Sequence, residues 1–260
     1  MAHATTTNAN KPAWVDLSSA DAEKSRSFYS ELFGWQVEVN PDPQYGGYGI
    51  ARTGGADAAG IGPKMDPNAP TAWNLYIGTD DIDDLATRVG DAGGTVAMAP
   101  FDVGDQGRMA VFRDPAGAFI SAWQGTRMGG FQTNAANSFG WAELNARNVE
   151  SALPFYQRVF GWTVKRSEMG EGQPPYNEFQ IDGRSVAGAW EMNPMVPAEV
   201  PSYWQVYFAV GDVDAAARRA IELGAQEMVA PQDFPGGRFA ILSDPQGASF
   251  GLLKTNAPAS

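Results

Sequence analysis

The chain contains no cysteine, which excludes a disulfide framework, a thiolate nucleophile and any Cys-ligated zinc or iron–sulfur site. It has a single histidine, His3, so one copy cannot supply the two imidazoles of a 2-His-1-carboxylate iron site, and no nucleophilic triad is available. Positive charge is scarce. With 18 Lys and Arg against 30 Asp and Glu, the net charge is −12, which would repel a phosphate backbone and excludes nucleic acid as an expected partner. The same acidic field would draw a cationic small molecule. No uncharged apolar run approaches the roughly 20 residues that span a bilayer. Residues Met1 to Pro12 form a polar stretch without the apolar core of a secretion leader, so the expectation is a cytoplasmic protein without membrane association. The glycine pairs Gly46-Gly47, Gly54-Gly55 and Gly236-Gly237 lack phosphate-loop spacing and read as turns.

What the chain does have is enough apolar material, 43% hydrophobic and 12% aromatic over 260 residues, to bury the core of one or two domains. It also repeats itself. Trp14-Val15-Asp16-Leu17 is answered by Trp141-Ala142-Glu143-Leu144. Phe28-Tyr29 with Leu32-Phe33-Gly34-Trp35 is answered by Phe155-Tyr156 with Val159-Phe160-Gly161-Trp162, at a constant offset of 127. Further on, Trp73-Asn74-Leu75-Tyr76 pairs with Trp204-Gln205-Val206-Tyr207, and Asp114-Pro115-Ala116-Gly117 with Asp244-Pro245-Gln246-Gly247, small insertions having moved the offset to about 130. The expected organisation is a tail over 1–10, a first domain over 11–124, a linker over 125–137, a second domain over 138–254 and a tail over 255–260.

Periodicity places the elements of the first half. Lys11 to Leu17 is a strand, and Asp21 is placed to cap a helix that runs through Tyr29 to Phe33 and stops at Gly34. Strands follow near Gln36 to Asn40, Gly47 to Arg52 and Ala58 to Pro63. The cycle restarts with a strand at Ala72 to Thr79 and a helix from Ile82 to Ala92. Three more strands follow, near Thr95 to Ala99, Met109 to Arg113 and Ala118 to Gln124. Each half is thus two βαβββ units, an α+β class.

This order, with Phe-Tyr inside the first helix, Leu-Phe-Gly-Trp at its end and Asp-Pro-x-Gly before the last strand, resembles the vicinal-oxygen-chelate (VOC) superfamily of glyoxalases, bleomycin-resistance proteins and extradiol dioxygenases. The resemblance covers nearly all of residues 11 to 254. It implies two tandem domains, each a pair of βαβββ units curled into an incomplete barrel around a ligand chamber. Metal-binding members carry His or Glu on the first strand, the strand opening the second unit and the last strand. Those positions here hold Trp14, Asn74 and Ser121, and in the second half Trp141, Gln205 and Gly251. A fourth ligand position falls at Ala58 to Gly62 and near Glu191. No cofactor and no metal is therefore expected, and metal-dependent glyoxalase or dioxygenase activity is not.

Strand alternation then selects the chamber residues. The candidate ligand-binding set is Trp14, Asn74, Tyr76, Ser121 and Trp123 in the first half, and Trp141, Gln205 and Tyr207 in the second. Phe119 shares the phase of Ser121 and Trp123. Asp16 and Glu143 are the candidate catalytic carboxylates, because an inward carboxylate beside an indole would be partly desolvated and its pKa raised toward that of a general base. Arg108 and Arg238, at matching hairpins, are either contacts for an anionic ligand or solvated turn residues.

Chambers lined by Trp, Tyr and a few amide or carboxylate groups resemble the metal-free drug-sequestering branch of that superfamily. The expected function is binding of a small hydrophobic or aromatic natural product, for sequestration or antibiotic resistance. Two other classes stay open: a metal-independent lyase, isomerase, cyclase or hydroxylation-assisting enzyme of secondary metabolism, and a structural protein whose chambers are filled by their own side chains. Fused domains already supply the pairing that single-domain relatives get by dimerising, which is compatible with a monomer.

Overall fold

The computed structural model describes residues 9–128, 131–170 and 172–256; His3 lies outside them, as do residues 1–8 and 257–260 of the two tails and 129–130 of the linker. The chain runs β1 (Pro12–Ser19), α1 (Ala22–Phe33), β2 (Gln36–Val39), β3 (Gly49–Thr53), β4 (Ala56–Pro63), β5 (Ala72–Gly78), α2 (Ile82–Asp91), β6 (Thr95–Val103), β7 (Gly107–Arg113) and β8 (Phe119–Gly125). The same series recurs as β9 (Ser138–Ala146), α3 (Val149–Phe160), β10 (Thr163–Ser167), β11 (Tyr176–Ile181), β12 (Arg184–Glu191), β13 (Tyr203–Ala209), α4 (Val213–Glu222), β14 (Gln226–Phe234), β15 (Gly237–Ser243) and β16 (Ser249–Thr255). Each series forms one eight-stranded sheet, in the orders β2-β3-β4-β1-β5-β8-β7-β6 and β10-β11-β12-β9-β13-β16-β15-β14. The two orders are identical, as the internal repeat requires. Hairpin neighbours run antiparallel, while β1 with β4 and β5 with β8 run parallel, because each of these pairs is joined by a crossover rather than a turn.

Helix ends follow local chemistry. The Asp21 side chain accepts the amide of Lys24 at the start of α1, and Gly34 takes the left-handed conformation (φ 70°) that closes it. Asn148 and Gly161 (φ 69°) do the same for α3. Arg108 and Arg238 fork onto Asp83 and Asp214 in the first turns of α2 and α4. Their guanidiniums hold both carboxyls below the usual range through hydrogen bonding first and charge attraction second.

Two compact units emerge, and neither coincides with a repeat. One comprises Met1–Trp14, Leu75–Gly130 and Ala142–Trp204, the other Val15–Asn74, Phe131–Trp141 and Gln205–Ser260. In the second of these, Tyr29 of α1 is fully buried and donates to Asp244 Oδ2 at 3.0 Å, while Trp73 Nε1 donates to the Tyr29 hydroxyl at 2.9 Å. In the other, Tyr156 of α3 donates to Asp114 Oδ2 at 2.8 Å and accepts from Trp204 Nε1 at 2.9 Å. The Phe-Tyr of one repeat thus meets the Asp-Pro-x-Gly of the other. Burial pushes both carboxyls up and both phenols well up. The helix-ending tryptophans cross in the same way: Trp35 Nε1 donates to the Asn137 carbonyl at 2.6 Å and Trp162 Nε1 to the Asn10 carbonyl at 2.7 Å.

Candidate functional site

In the first repeat a polar cluster forms where β1, β4 and β5 meet the start of β3. Asp16 on β1 is 8% exposed and stands opposite Gly60 on β4. Asn74 on β5 donates its amide nitrogen to Asp16 Oδ1 at 2.8 Å and to Ser18 Oγ at 2.9 Å. The opposite amide orientation would point an oxygen at a carboxylate, so the donor side is fixed and the amide oxygen is turned away as an acceptor. Tyr48, just before β3, donates to Asp16 Oδ2 at 3.1 Å. Its ring lies over Gly60 and Gly62: a Cβ on Gly60 would come within 1.8 Å of the Tyr48 hydroxyl oxygen, and one on Gly62 within 2.6 Å of Cδ2. The cluster is a carboxylate held by a phenol and a carboxamide, with acceptor atoms outnumbering donors. It can orient a hydroxyl or amine, or exchange a proton with one.

The sequence candidates fall into three situations. Asp16 and Asn74 are joined directly. Tyr76 and Ser121, both buried, face each other in register across β5 and β8. Trp14 and Trp123 are buried at 2% and 6% exposure, the latter with its indole nitrogen donating to the Met128 carbonyl at 3.1 Å. Phe119 stands opposite Arg113 on β7 as Ser121 stands opposite Val111, in the same phase. It is 57% exposed, at the first residue after the turn, where it lies beneath the Arg113 guanidinium. Arg108 and Arg238 are engaged by acidic side chains as described above. Tyr48 and Ser18 were missed. The available signals were the recurrence of Tyr48 as Tyr176 and the alternating glycines at 60 and 62.

The second repeat is built differently at the matching places. Gln205 is 1% exposed, accepts from Ser249 Oγ at 2.7 Å and donates to the Val206 carbonyl at 3.1 Å. The Tyr207 ring covers Gly251 so closely that an added Cβ would sit 2.0 Å from it. Glu143 is half-buried opposite Gly188. Burial pushes up the Tyr203 phenol, and the Glu143 charge adds to that shift. Trp141 is half-buried. Tyr176 packs against Trp190, ring centroids 5.9 Å apart.

These residues do not fit the metal that the fold's chelating members hold. The six positions supply two indoles, two carboxamides, a hydroxyl and a glycine, none of them a strong anionic or imidazole donor. Both carboxamides already spend their nitrogens inside the protein. Glu191, near the fourth position, accepts the Val149 amide at 2.9 Å and serves the N-terminus of α3. Among the described residues no three His, Asp or Glu side chains converge.

The model of the Glyoxalase/Bleomycin resistance protein/Dioxygenase superfamily matches residues 11–121 and 138–252. The chain is 42% identical over 250 residues to "Putative glyoxylase CFP32" of Mycobacterium tuberculosis, covering 94% of each chain. It is 39% identical over 258 residues to "Anthracycline biosynthesis protein DnrV" of Streptomyces peucetius, covering 94% of this chain and 92% of that one. Among solved structures it is similar to the 2,3-dioxygenase LapB of Pseudomonas sp. KL28, with a TM-score of 0.68 at 14% identity, covering 98% of this chain and 96% of that one. It is also similar to the Mn(II)-bound glyoxalase of Novosphingobium aromaticivorans, with a TM-score of 0.66 at 15% identity over 97% and 86% of the two chains. At such identities the two structures speak for the fold alone.

Proposed function

Because the chain belongs to the Glyoxalase/Bleomycin resistance protein/Dioxygenase superfamily yet holds no chelating set at the superfamily's metal positions, we propose that it binds a small, flat aromatic natural product without a metal. The observation that carries this reading is the Asp16–Asn74–Tyr48 cluster beside a glycine-paved stretch of β4. A flat ring gains contact on a surface free of Cβ atoms, and a few acceptors fix its orientation through its hydroxyl or amine donors. A relative named for anthracycline biosynthesis is compatible with a fused-ring ligand and with secondary metabolism.

A second reading is favoured by one feature. Asp16 is buried and bonded on both oxygens, which holds it in one orientation as a general base would need. In that reading it takes a proton from an acidic carbon or phenol of the ligand while Asn74 holds its other oxygen.

Native mass spectrometry of protein purified without chelator tests the proposal. An organic ligand at one per chain and no metal is the expected result, whereas a stoichiometric divalent metal would overturn it. Product formation that is lost in Asp16→Asn while ligand binding survives would select the second reading over sequestration.

A further inference from the structure

We infer that Tyr48 is an internal stand-in for the ligand: its phenol occupies the place that a phenolic ring of the bound molecule takes. This rests on the binding reading above and names the chemistry of its ligand. The ring lies on the floor made by Gly60 and Gly62, alternate residues on one face of β4, with a fit so close that a methyl group at either would collide with it. Its hydroxyl donates to Asp16, the residue paired with Gly60 across the parallel ladder. Floor and acceptor together describe a phenol site, already filled by a phenol. The occupant is also built to leave. Tyr48 is half-buried and follows Gly46 and Gly47, both left-handed at φ 58° and 80°, where glycine changes backbone conformation without a Cβ penalty.

The second repeat supplies the contrast. Asp16 pairs with Gly60 as Glu143 pairs with Gly188, so Gly62 corresponds to Trp190. An indole stands where the floor would continue, and Tyr176, the counterpart of Tyr48, meets that indole. The phenol site therefore belongs to the first repeat.

An internal occupant lowers the apparent affinity of a ligand by the fraction of molecules in which it is displaced. Binding of 1,8-dihydroxyanthraquinone and of anthraquinone, read by tryptophan fluorescence on the full chain and on Tyr48→Ala, tests this. The expected outcome is at least a tenfold gain in affinity for the dihydroxy compound in Tyr48→Ala, a smaller gain for anthraquinone, and loss of that preference in Tyr48→Ala with Asp16→Asn. Weaker or unchanged binding by Tyr48→Ala would make Tyr48 a fixed wall of the site and overturn the inference. A second readout is thermal unfolding with p-cresol, which should stabilise Tyr48→Ala but neither the unmodified chain nor the double variant, since a vacated aromatic space takes a small ring of matching shape. If p-cresol stabilises Tyr48→Ala while no variant binds either anthraquinone, the phenol site stands and the proposal of a fused-ring ligand fails. If p-cresol leaves Tyr48→Ala unchanged, the inference itself fails.

Discussion

Tyr29→Phe removes one oxygen atom and disturbs two buried partners. Asp244 Oδ2 loses a donor at 3.0 Å, and Trp73 Nε1–H loses its acceptor at 2.9 Å. Phenylalanine keeps the ring, so the stacking of Tyr29 on Phe33 and Trp35 and its edge contacts with Trp73 and Phe250 are preserved. A buried polar group left without its partner costs about 1–3 kcal/mol. Asp244 retains the Ala248 and Gln246 amides on Oδ1, which puts its share at the low end and the total near ~3 kcal/mol. With a urea dependence of ~3 kcal/mol per molar, the midpoint should fall by about 1 M. Tyr156→Phe repeats the experiment at Asp114 and Trp204 and should cost the same. The two triads share no residue, so their costs should add. The assay is urea unfolding followed by circular dichroism, with a double-mutant cycle between Tyr29→Phe and Asp244→Asn. A midpoint loss below about 0.2 M, or a coupling energy indistinguishable from zero in the cycle, would refute the claim that these contacts hold each unit together.

Burial raises Asp114 and Asp244 above the ordinary 3.8, so the folded chain binds these protons more tightly than the unfolded one. Stability contributed by this pair should be highest below 3.8 and fall as pH rises from there through the folded values. In Asp114→Asn with Asp244→Asn this downward slope should vanish from pH-dependent urea midpoints; an unchanged slope would assign it to other groups. In the Tyr48→Ala background, where no internal phenol competes, Asp16→Asn should reduce affinity for a phenolic ligand by about tenfold, the loss of one charge-assisted hydrogen bond; calorimetric titration reads it. Gly60→Ala should expel the Tyr48 ring, since the new methyl group would overlap its hydroxyl oxygen at 1.8 Å. The tyrosine should then become more accessible to chemical nitration, and unchanged nitration would contradict the packing described. Arg238→Ala breaks solvent-screened ion pairs with Asp214 and Asp233 and should leave the thermal unfolding midpoint nearly unchanged; a large drop would contradict this.

The repeat and its helices were legible because their signals are local. Asp21 and Gly34 bracket α1 by capping chemistry, and period alone separates α1 from β1. The end of β6 was not legible. The strand expected near Thr95 to Ala99 runs on through Pro100 to Val103, as the outermost strand of its sheet and with a register shift between Met98 and Phe101. An edge position and a bulge are where a strand tolerates proline. The bond between Asp16 and Asn74 lies within the reach of alternation, because the expected phase puts both residues on one face of neighbouring strands. Tyr48 lies outside any strand, so alternation says nothing of its direction. The Asp-Pro-x-Gly aspartates look like turn residues, and one oxygen of each does accept turn amides. The other oxygen meets a tyrosine of the opposite repeat, 215 residues away for Asp244, a pairing that no local pattern encodes.

The binding proposed for the first repeat needs no metal. Titration of 1,8-dihydroxyanthraquinone into protein exhaustively treated with chelator, and then into the same protein with Mn²⁺ restored, tests it most directly. Saturable binding at one per chain with the same affinity in both titrations is the expected result. Binding that appears only when the metal is returned, at one metal per chain, would make the site metal-dependent and overturn the proposal.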